Sequence, residues 1–77
     1  MKVRVRLFGA EEQELGRSTI EVEVGDRARA RDVVRAIGVQ WPKLKRARLA
    51  VNHAFATGDE VVGVKDELAL IGMVSGG

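Results

Sequence analysis

The chain has 77 residues and a formal net charge of +2, which fits one domain near the lower size limit for folding without disulfides or metals. Because it contains no cysteine, disulfides, thiolate metal sites and cysteine nucleophiles are excluded. It has no long apolar segment and no signal-like start, so we expect a soluble, cytoplasmic protein without a membrane partner.

The first elements are predicted to be the two strands of a hairpin. Apolar residues alternate with arginines over residues 3–7, which is the period of a half-buried strand. Residues 20–24 alternate apolar residues with glutamates, and we expect this second strand to pair with the first. The polar segment 9–17 has glycines near both ends, and it is predicted to be a connecting loop.

The next element is predicted to be a helix at residues 30–37, where apolar side chains recur at helical spacing. Gly38 is the predicted residue after its end, because glycine readily adopts the left-handed conformation that often follows a helix. Asp26 is the nearest candidate for a cap at its start. Arg31 and Arg35 repel slightly on the outer face, so packing rather than intrinsic propensity is expected to hold this helix.

The second half of the chain is predicted to complete a mixed sheet. Trp41, which precedes Pro42, is expected to cover part of the core. The predicted elements that follow are a helical turn at 43–46, a strand at 49–51, a turn at Asn52-His53, a short strand at 54–56, a loop at 59–67 and a final strand at 68–71. The final strand is apolar throughout, which is typical of the centre of a sheet. The whole pattern predicts an α+β fold, in which one main helix packs on one face of four to five strands.

Basic residues are concentrated between Arg27 and Arg48, where Asp32 is the only acidic residue. Such a segment could hold phosphates or meet an acidic partner. No aromatic residues alternate with the basic ones to stack on bases. We therefore favour a solvated helix face and loop, and we expect no nucleic-acid partner.

The only histidine, His53, lies in the turn predicted after the third strand. It could form a site with Asp59 or Glu60. However, the sequence offers neither a paired base and nucleophile nor a metal-ligand spacing. We therefore expect a solvated polar side chain at this position and no metal site.

Residues 72–77 are predicted to form a flexible tail after a folded domain at residues 1–71. The tail ends in Ser75-Gly76-Gly77, whose carboxylate has no β-carbon beside it and can enter a narrow channel. Glycine loses more backbone entropy on ordering than any other residue, so two glycines make a poor structural element but suit a reactive arm. The alternative is a frayed terminus, as in most domains.

Three segments of the sequence carry a family resemblance. They are Lys2 to Ala10, Leu49-Ala50-Val51-Asn52, and Asp66 to Ile71 followed by Val74-Ser75-Gly76-Gly77. They resemble the first strand, the valine-asparagine turn and the closing signature of the molybdopterin synthase small subunit, a MoaD-like member of the ThiS/MoaD sulfur carriers. The sequence departs from that signature at Gly72-Met73, where the family usually has two prolines. The resemblance implies a ubiquitin-like β-grasp fold.

The resemblance also implies chemistry at Gly77. In such carriers an E1-like adenylyltransferase uses ATP and Mg to adenylate the terminal carboxylate, which a sulfur donor such as a cysteine desulfurase or a rhodanese then converts to a thiocarboxylate. In molybdopterin synthase the sulfur passes to cyclic pyranopterin monophosphate during molybdenum cofactor biosynthesis. The large subunit receives the tail, which the resemblance assigns to Val74, Ser75, Gly76 and Gly77. The chain itself is then a non-catalytic, sulfur-donating subunit that binds no cofactor.

A docking surface for the partner is implied by the same resemblance. The family uses apolar residues near the point where the tail leaves the domain, and these match Phe8, Phe55 and Ile71. Phe8 follows the alternation of residues 3–7 with the opposite parity, so it should point away from their buried face. For Phe55 and Ile71 an ordinary core position is the equal alternative, although exposed apolar patches tend to mark interfaces.

Other carriers and modifiers use the same type of tail. A ubiquitin-like modifier is joined through its terminal glycine to lysine amines. The sulfur carriers of tRNA thiolation and thiamine synthesis are activated in the same way. A β-grasp binding module that does not use Gly77 is the remaining alternative.

Overall fold

The computed structural model describes residues 1–44 and 46–72, and it shows two helices, a 3₁₀ turn and five strands there. In chain order they are β1 (Lys2–Leu7), α1 (Gly9–Leu15), β2 (Thr19–Glu23), α2 (Ala30–Gln40), the 3₁₀ turn (Pro42–Leu44), β3 (Arg48–Val51), β4 (Ala54–Phe55) and β5 (Leu68–Ile71). The predicted α+β class is confirmed, with one helix more than expected. Within these described residues, neither helix is long and apolar enough to cross a bilayer.

The strands form one mixed sheet in the order β2-β1-β5-β3-β4. β1 and β2 pair antiparallel, as the hairpin prediction required. β5 lies between β1, to which it is parallel, and β3, to which it is antiparallel. The apolar sequence of the final strand therefore predicted its central position correctly.

The core lies between one face of this sheet and α2. The helix contributes Ala30, Val33 and Ile37, all buried, and Trp41 packs partly buried against the same cluster. The sheet contributes alternate side chains, chiefly Val3, Val5, Leu7, Ile20, Val22, Leu49, Leu68 and Leu70. Burying side chains of this size stabilises the fold by about 1.5–3 kcal/mol each, so packing holds α2, as expected.

The prediction of a loop at residues 9–17 was wrong, because this segment contains α1. Its residues after Gly9 are good helix formers, but none of them is fully buried, so no apolar period indicated a helix. Gly16 has a φ of 68°, and its N–H donates to the Glu12 carbonyl at 2.9 Å. This left-handed residue closes the last turn of the helix.

Helix α2 also runs three residues past its predicted end, from Ala30 to Gln40. Gly38 lies inside the helix rather than after it. Trp41 is the residue that caps the end of the helix, and its N–H still donates to a helix carbonyl at 2.7 Å. Pro42 then stops the helix because it has no N–H to donate. The 3₁₀ turn begins at this proline, one residue before the predicted helical turn.

Asp32, and not Asp26, caps the start of α2. The backbone N–H of Arg29 donates to Asp32 Oδ2 at 2.8 Å, and a carboxylate in the first turn also favours the helix dipole. Asp26 lies instead 3.7 Å from the amino group of Met1. The predicted cap, Asp26, precedes the helix, whereas the observed cap, Asp32, lies inside its first turn.

The predicted turn at Asn52-His53 is confirmed, and it joins β3 to β4 as a hairpin. Asn52 has a φ of 51° and His53 a φ of 72°. Two consecutive positive φ values are typical of the type I′ turn that suits the twist of a hairpin. The loop predicted at 59–67 is also present, and it places Val62 in the core.

Candidate functional site

The structure brings the three residues predicted for docking to one hollow, on the sheet face that α2 leaves open. Phe8, Phe55 and Ile71 are 44%, 49% and 36% exposed, and all three line a hollow of about 320 Å³. None of them is an ordinary core residue. Their role in docking stays a prediction, and the predicted tail residues Val74, Ser75, Gly76 and Gly77 lie outside the described residues.

Small side chains form the floor of this hollow. Ala69 on β5 pairs with Ala50 on β3 and with Arg6 on β1. Ala50 in turn pairs with Phe55 on β4. Two alanines therefore lie side by side between two large side chains, and the sheet surface is concave at that place.

Two arginines are held against the aromatic rings of the rim. The Arg6 Cζ lies 5.3 Å from the centroid of the Phe8 ring. The Arg48 Cζ lies 4.2 Å from the centroid of the Phe55 ring. Both distances are within the range of a cation–π interaction. The rim is thus apolar and cationic together, which the sequence-based prediction of an apolar patch did not include.

His53 and Glu67 complete the rim. The His53 Nε2 lies 3.0 Å from Glu67 Oε2, and the two side chains are 82% and 64% exposed. His53 is therefore a solvated residue, as expected. Its partner is Glu67, which the sequence analysis did not consider because the pairing depends on the path of β5.

The acidic residues considered as partners of the histidine lie elsewhere. Asp59 Oδ1 is 3.0 Å from Arg31 Nη1. Glu60 accepts hydrogen bonds from the N–H groups of Thr57 at 2.7 Å and Gly58 at 3.0 Å. These bonds, led by the one from Thr57, lower the pKa of Glu60. Both carboxylates stabilise a loop, and the hypothetical site with the histidine is not formed.

The start of β5 is fixed by a small polar network. Asn52 Nδ2 donates to Asp66 Oδ1 at 3.1 Å, and Asn52 Oδ1 accepts from the Glu67 N–H at 2.9 Å. Asp66 Oδ2 accepts from the Gly63 N–H at 2.7 Å. The hydrogen bond from Asn52 first, and then that from Gly63, lowers the pKa of Asp66. The network sets where β5 begins and therefore where Glu67 faces the hollow.

The root of the predicted tail lies against α1. A β-carbon built on Gly72 would overlap the carboxylate of Glu11. Any larger residue at position 72 therefore requires the Glu11 side chain to move. Gly72 is visible in the sequence as a departure from the family signature, but nothing in the sequence indicates its contact with Glu11, because α1, which carries Glu11, has no apolar period.

The basic segment does not gather at one site. Arg31 pairs with Asp59, and Lys43 lies 3.0 Å from Glu14. Arg48 is the member that lies against a residue of the hollow, the ring of Phe55. In the part of the chain that the structure describes, no group of three or more histidines or acidic residues could hold a metal ion.

Comparison with known proteins agrees with this fold. SAMP1 from Haloferax volcanii is 26% identical, with full coverage of both chains and a TM-score of 0.79. A protein assigned as molybdopterin converting factor subunit 1 from Pyrococcus furiosus is 26% identical over 96% of this chain and 99% of its own, with a TM-score of 0.80. The predicted β-grasp fold is therefore confirmed.

A complex of subunits 1 and 2 of molybdopterin-converting factor from Helicobacter pylori 26695 contains a chain of the same fold. It is 23% identical, with full coverage of both chains and a TM-score of 0.63. No curated protein matches the chain. The model of the ThiS family matches residues 5–77. Since that match spans almost the whole sequence, this chain belongs to the ThiS family.

Proposed function

We propose that this protein is a sulfur carrier that acts as the small subunit of a molybdopterin synthase and donates sulfur from a thiocarboxylate at Gly77. Membership of the ThiS family and the likeness to the Pyrococcus furiosus protein support this function. The observation that carries it is the hollow lined by Phe8, Phe55 and Ile71. An exposed apolar patch of this kind tends to mark an interface.

The position of the hollow suits delivery of a tail to a partner. Ile71 is the last residue of β5 and lines the hollow, and Gly72 follows it directly. A partner seated on the hollow is therefore beside the root of the tail. Fully extended, residues 72–77 span on the order of 20 Å, so Gly77 can reach a pocket well inside the partner.

The proposed chemistry needs only the carboxylate from this chain. The Gly77 carboxylate attacks the α-phosphorus of ATP, held with Mg by the E1-like adenylyltransferase, and pyrophosphate leaves. The terminal sulfur of a persulfide on the cysteine desulfurase or rhodanese attacks the acyl-adenylate, and AMP leaves. A thiol then cleaves the S–S bond of the acyl disulfide and is oxidised to a disulfide, which leaves the thiocarboxylate.

The large subunit supplies the remaining groups in this proposal. It holds the cyclic pyranopterin monophosphate and the catalytic side chains, while this chain is the non-catalytic, sulfur-donating subunit in the cytoplasm. The complex of subunits 1 and 2 from Helicobacter pylori is a precedent for two subunits of that kind binding each other.

The mass of the C-terminal peptide tests the proposal. We expect that incubation with the cognate adenylyltransferase, ATP, Mg and a sulfur donor raises this mass by about 16 Da, the difference between sulfur and oxygen. Addition of the large subunit and its substrate should return the mass to its starting value. A reaction without ATP and a chain with one alanine appended after Gly77 are the controls. An unmodified terminus in the complete reaction would reject the proposal.

A protein modifier is the second candidate, and the likeness to SAMP1, a small archaeal modifier protein, favours it. In that case a lysine amine attacks the acyl-adenylate of Gly77, or a thioester derived from it, and an isopeptide bond forms. High-mass conjugates on a denaturing gel, absent when Gly77 is deleted, would identify this function. The absence of conjugates together with a gain of sulfur would exclude it.

A further inference from the structure

We infer that the hollow binds a partner segment in which an apolar side chain is flanked by carboxylates, and that Arg6 and Arg48 bind those carboxylates. This inference rests on the proposed function, because it gives the chemistry of the partner that docks on the same surface. It assigns a role to two charged residues that an apolar docking surface does not require.

The first argument is that the two arginines beside the hollow have no carboxylate partner. Arg6 lies on β1 and Arg48 on β3, on the two sides of β5. Among the described residues, neither guanidinium lies within ion-pair distance of a carboxylate. By contrast, Arg4 on the same strand lies 3.6 Å from Glu21, and Arg31 on α2 lies 3.0 Å from Asp59. Arg6, which lines the hollow, and Arg48, which lies over Phe55 on its rim, are therefore both free to form an ion pair with a partner.

The position of these guanidinium groups is the second argument. The guanidinium carbons of Arg6 and Arg48 lie over the rings of Phe8 and Phe55 respectively. Stacking restricts a long side chain in advance and leaves the N–H groups at the edge of the guanidinium plane. A carboxylate binds that edge with two parallel hydrogen bonds. Because the side chains are already restricted, ordering them on binding costs less entropy.

The floor and the remaining rim decide the class of ligand. The floor consists of Ala50 and Ala69 and needs an apolar group to fill it. At about 320 Å³ the hollow is at the small end of ligand pockets, which suits a single side chain. Glu67 also lies on the rim and repels anions there, so the carboxylates of a ligand have to face the two arginines instead. A protein segment with an apolar residue between acidic ones satisfies the floor and both arginines.

The test is a binding series with matched variants. The wild-type chain, Arg6→Gln, Arg48→Gln, the double variant and Arg35→Gln are titrated against two purified probes, at low and at moderate salt. The probes are the molybdopterin synthase large subunit and the E1-like adenylyltransferase of the same genome. Arg35 is an exposed arginine on the outer face of α2 and serves as the control. Circular dichroism establishes that every variant is folded.

We expect Arg6→Gln and Arg48→Gln each to weaken binding by about five- to tenfold at low salt, and Arg35→Gln to leave it unchanged. Added salt should weaken the wild type more than the double variant, because salt screens exposed charges. This pattern with either probe supports the inference. If only the adenylyltransferase binds, the inference is still supported, but the assignment as a molybdopterin synthase small subunit is rejected. If the arginine variants bind as well as the wild type, the inference is wrong; the proposed function then stands if the large subunit is bound and is rejected if only the adenylyltransferase is. If the wild type binds neither probe, both are wrong.

Discussion

The Asp66 carboxylate helps to fix the start of β5 and, with it, the open face of the sheet. It accepts hydrogen bonds from the Asn52 side chain and from the Gly63 N–H, and these lower its pKa. A lowered pKa means that the folded protein binds a proton at this site less readily than the unfolded chain does. The stabilisation is therefore present above the unfolded pKa and is lost as the pH falls through the folded pKa.

We predict that Asp66→Ala lowers the free energy of unfolding by about 1 kcal/mol at neutral pH, because two hydrogen bonds to a partly exposed carboxylate are lost. The difference from the wild type should shrink as the pH falls below about 4, because the unfolded chain, in which aspartate has its ordinary pKa, then takes up the proton before the folded protein does. Urea denaturation at pH 7 and pH 3 measures both values. Arg35→Gln, a change at an exposed side chain of α2 that does not titrate between these two pH values, is the control and should show neither effect. A difference that is the same at both pH values would contradict this account.

The elements that could be predicted are those in which a short run of the sequence shows which side chains are buried. Alternation indicated β1 and β2, and the apolar run at residues 68–71 indicated a central strand. Helix α1 could not be predicted in this way, because it is short and only Leu15 near its end packs against the core, which leaves no apolar period to recognise. The end of α2 was placed at Gly38, because the sequence does not show whether a glycine near the end of a helix lies inside it or after it.

The candidate site was predictable only in part for a related reason. The parity of Phe8 relative to β1 was enough to predict that it is exposed. By contrast, Arg6 looks like any outward-facing residue of a half-buried strand. That Arg48 lies on Phe55 follows from the β3–β4 register, and a register is set by the whole sheet rather than by neighbours in sequence.

Two glycine substitutions test the description of α1. Gly16 has a φ of 68°, whereas Gly25 does not have a positive φ, and a β-carbon at either position would meet nothing within 4 Å. We predict that Gly16→Ala lowers the unfolding free energy by about 1 kcal/mol, since the left-handed conformation is costly for alanine. Gly25→Ala should leave it unchanged or raise it by up to about 0.5 kcal/mol. Thermal melts of both variants provide the comparison, and equal effects would contradict the cap at Gly16.

On the scale of the whole molecule, one face of the sheet stabilises the fold and the other is the proposed binding surface. One face packs against α2 and holds the core, and the other carries the hollow and its rim. Leu70 and Ile71 are neighbours in β5, but Leu70 is 1% exposed and Ile71 is 36% exposed. A pair of single substitutions on one strand can therefore separate the two roles.

We predict that Leu70→Ala lowers the free energy of unfolding by about 2–4 kcal/mol, because it leaves a cavity in the core. Ile71→Ala should lower it by less than about 1 kcal/mol and should instead weaken binding to the large subunit. Chemical denaturation and titration of both variants measure the two effects. If Ile71→Ala destabilised the fold as much as Leu70→Ala, the division between the two faces would be wrong.

The place of β5 in the chain also affects the order in which the molecule can be built. During translation the ribosome releases β5 after every other described strand, yet β5 fills the middle of the sheet. Until it emerges, the β1–β2 hairpin and the β3–β4 hairpin have no strand between them. A nascent or truncated chain that lacks β5 therefore has neither a closed core nor Ala69 and Ile71 in the hollow. Only a chain that includes β5 can form the proposed docking surface, so a partner that binds there would select folded chains before the proposed chemistry begins.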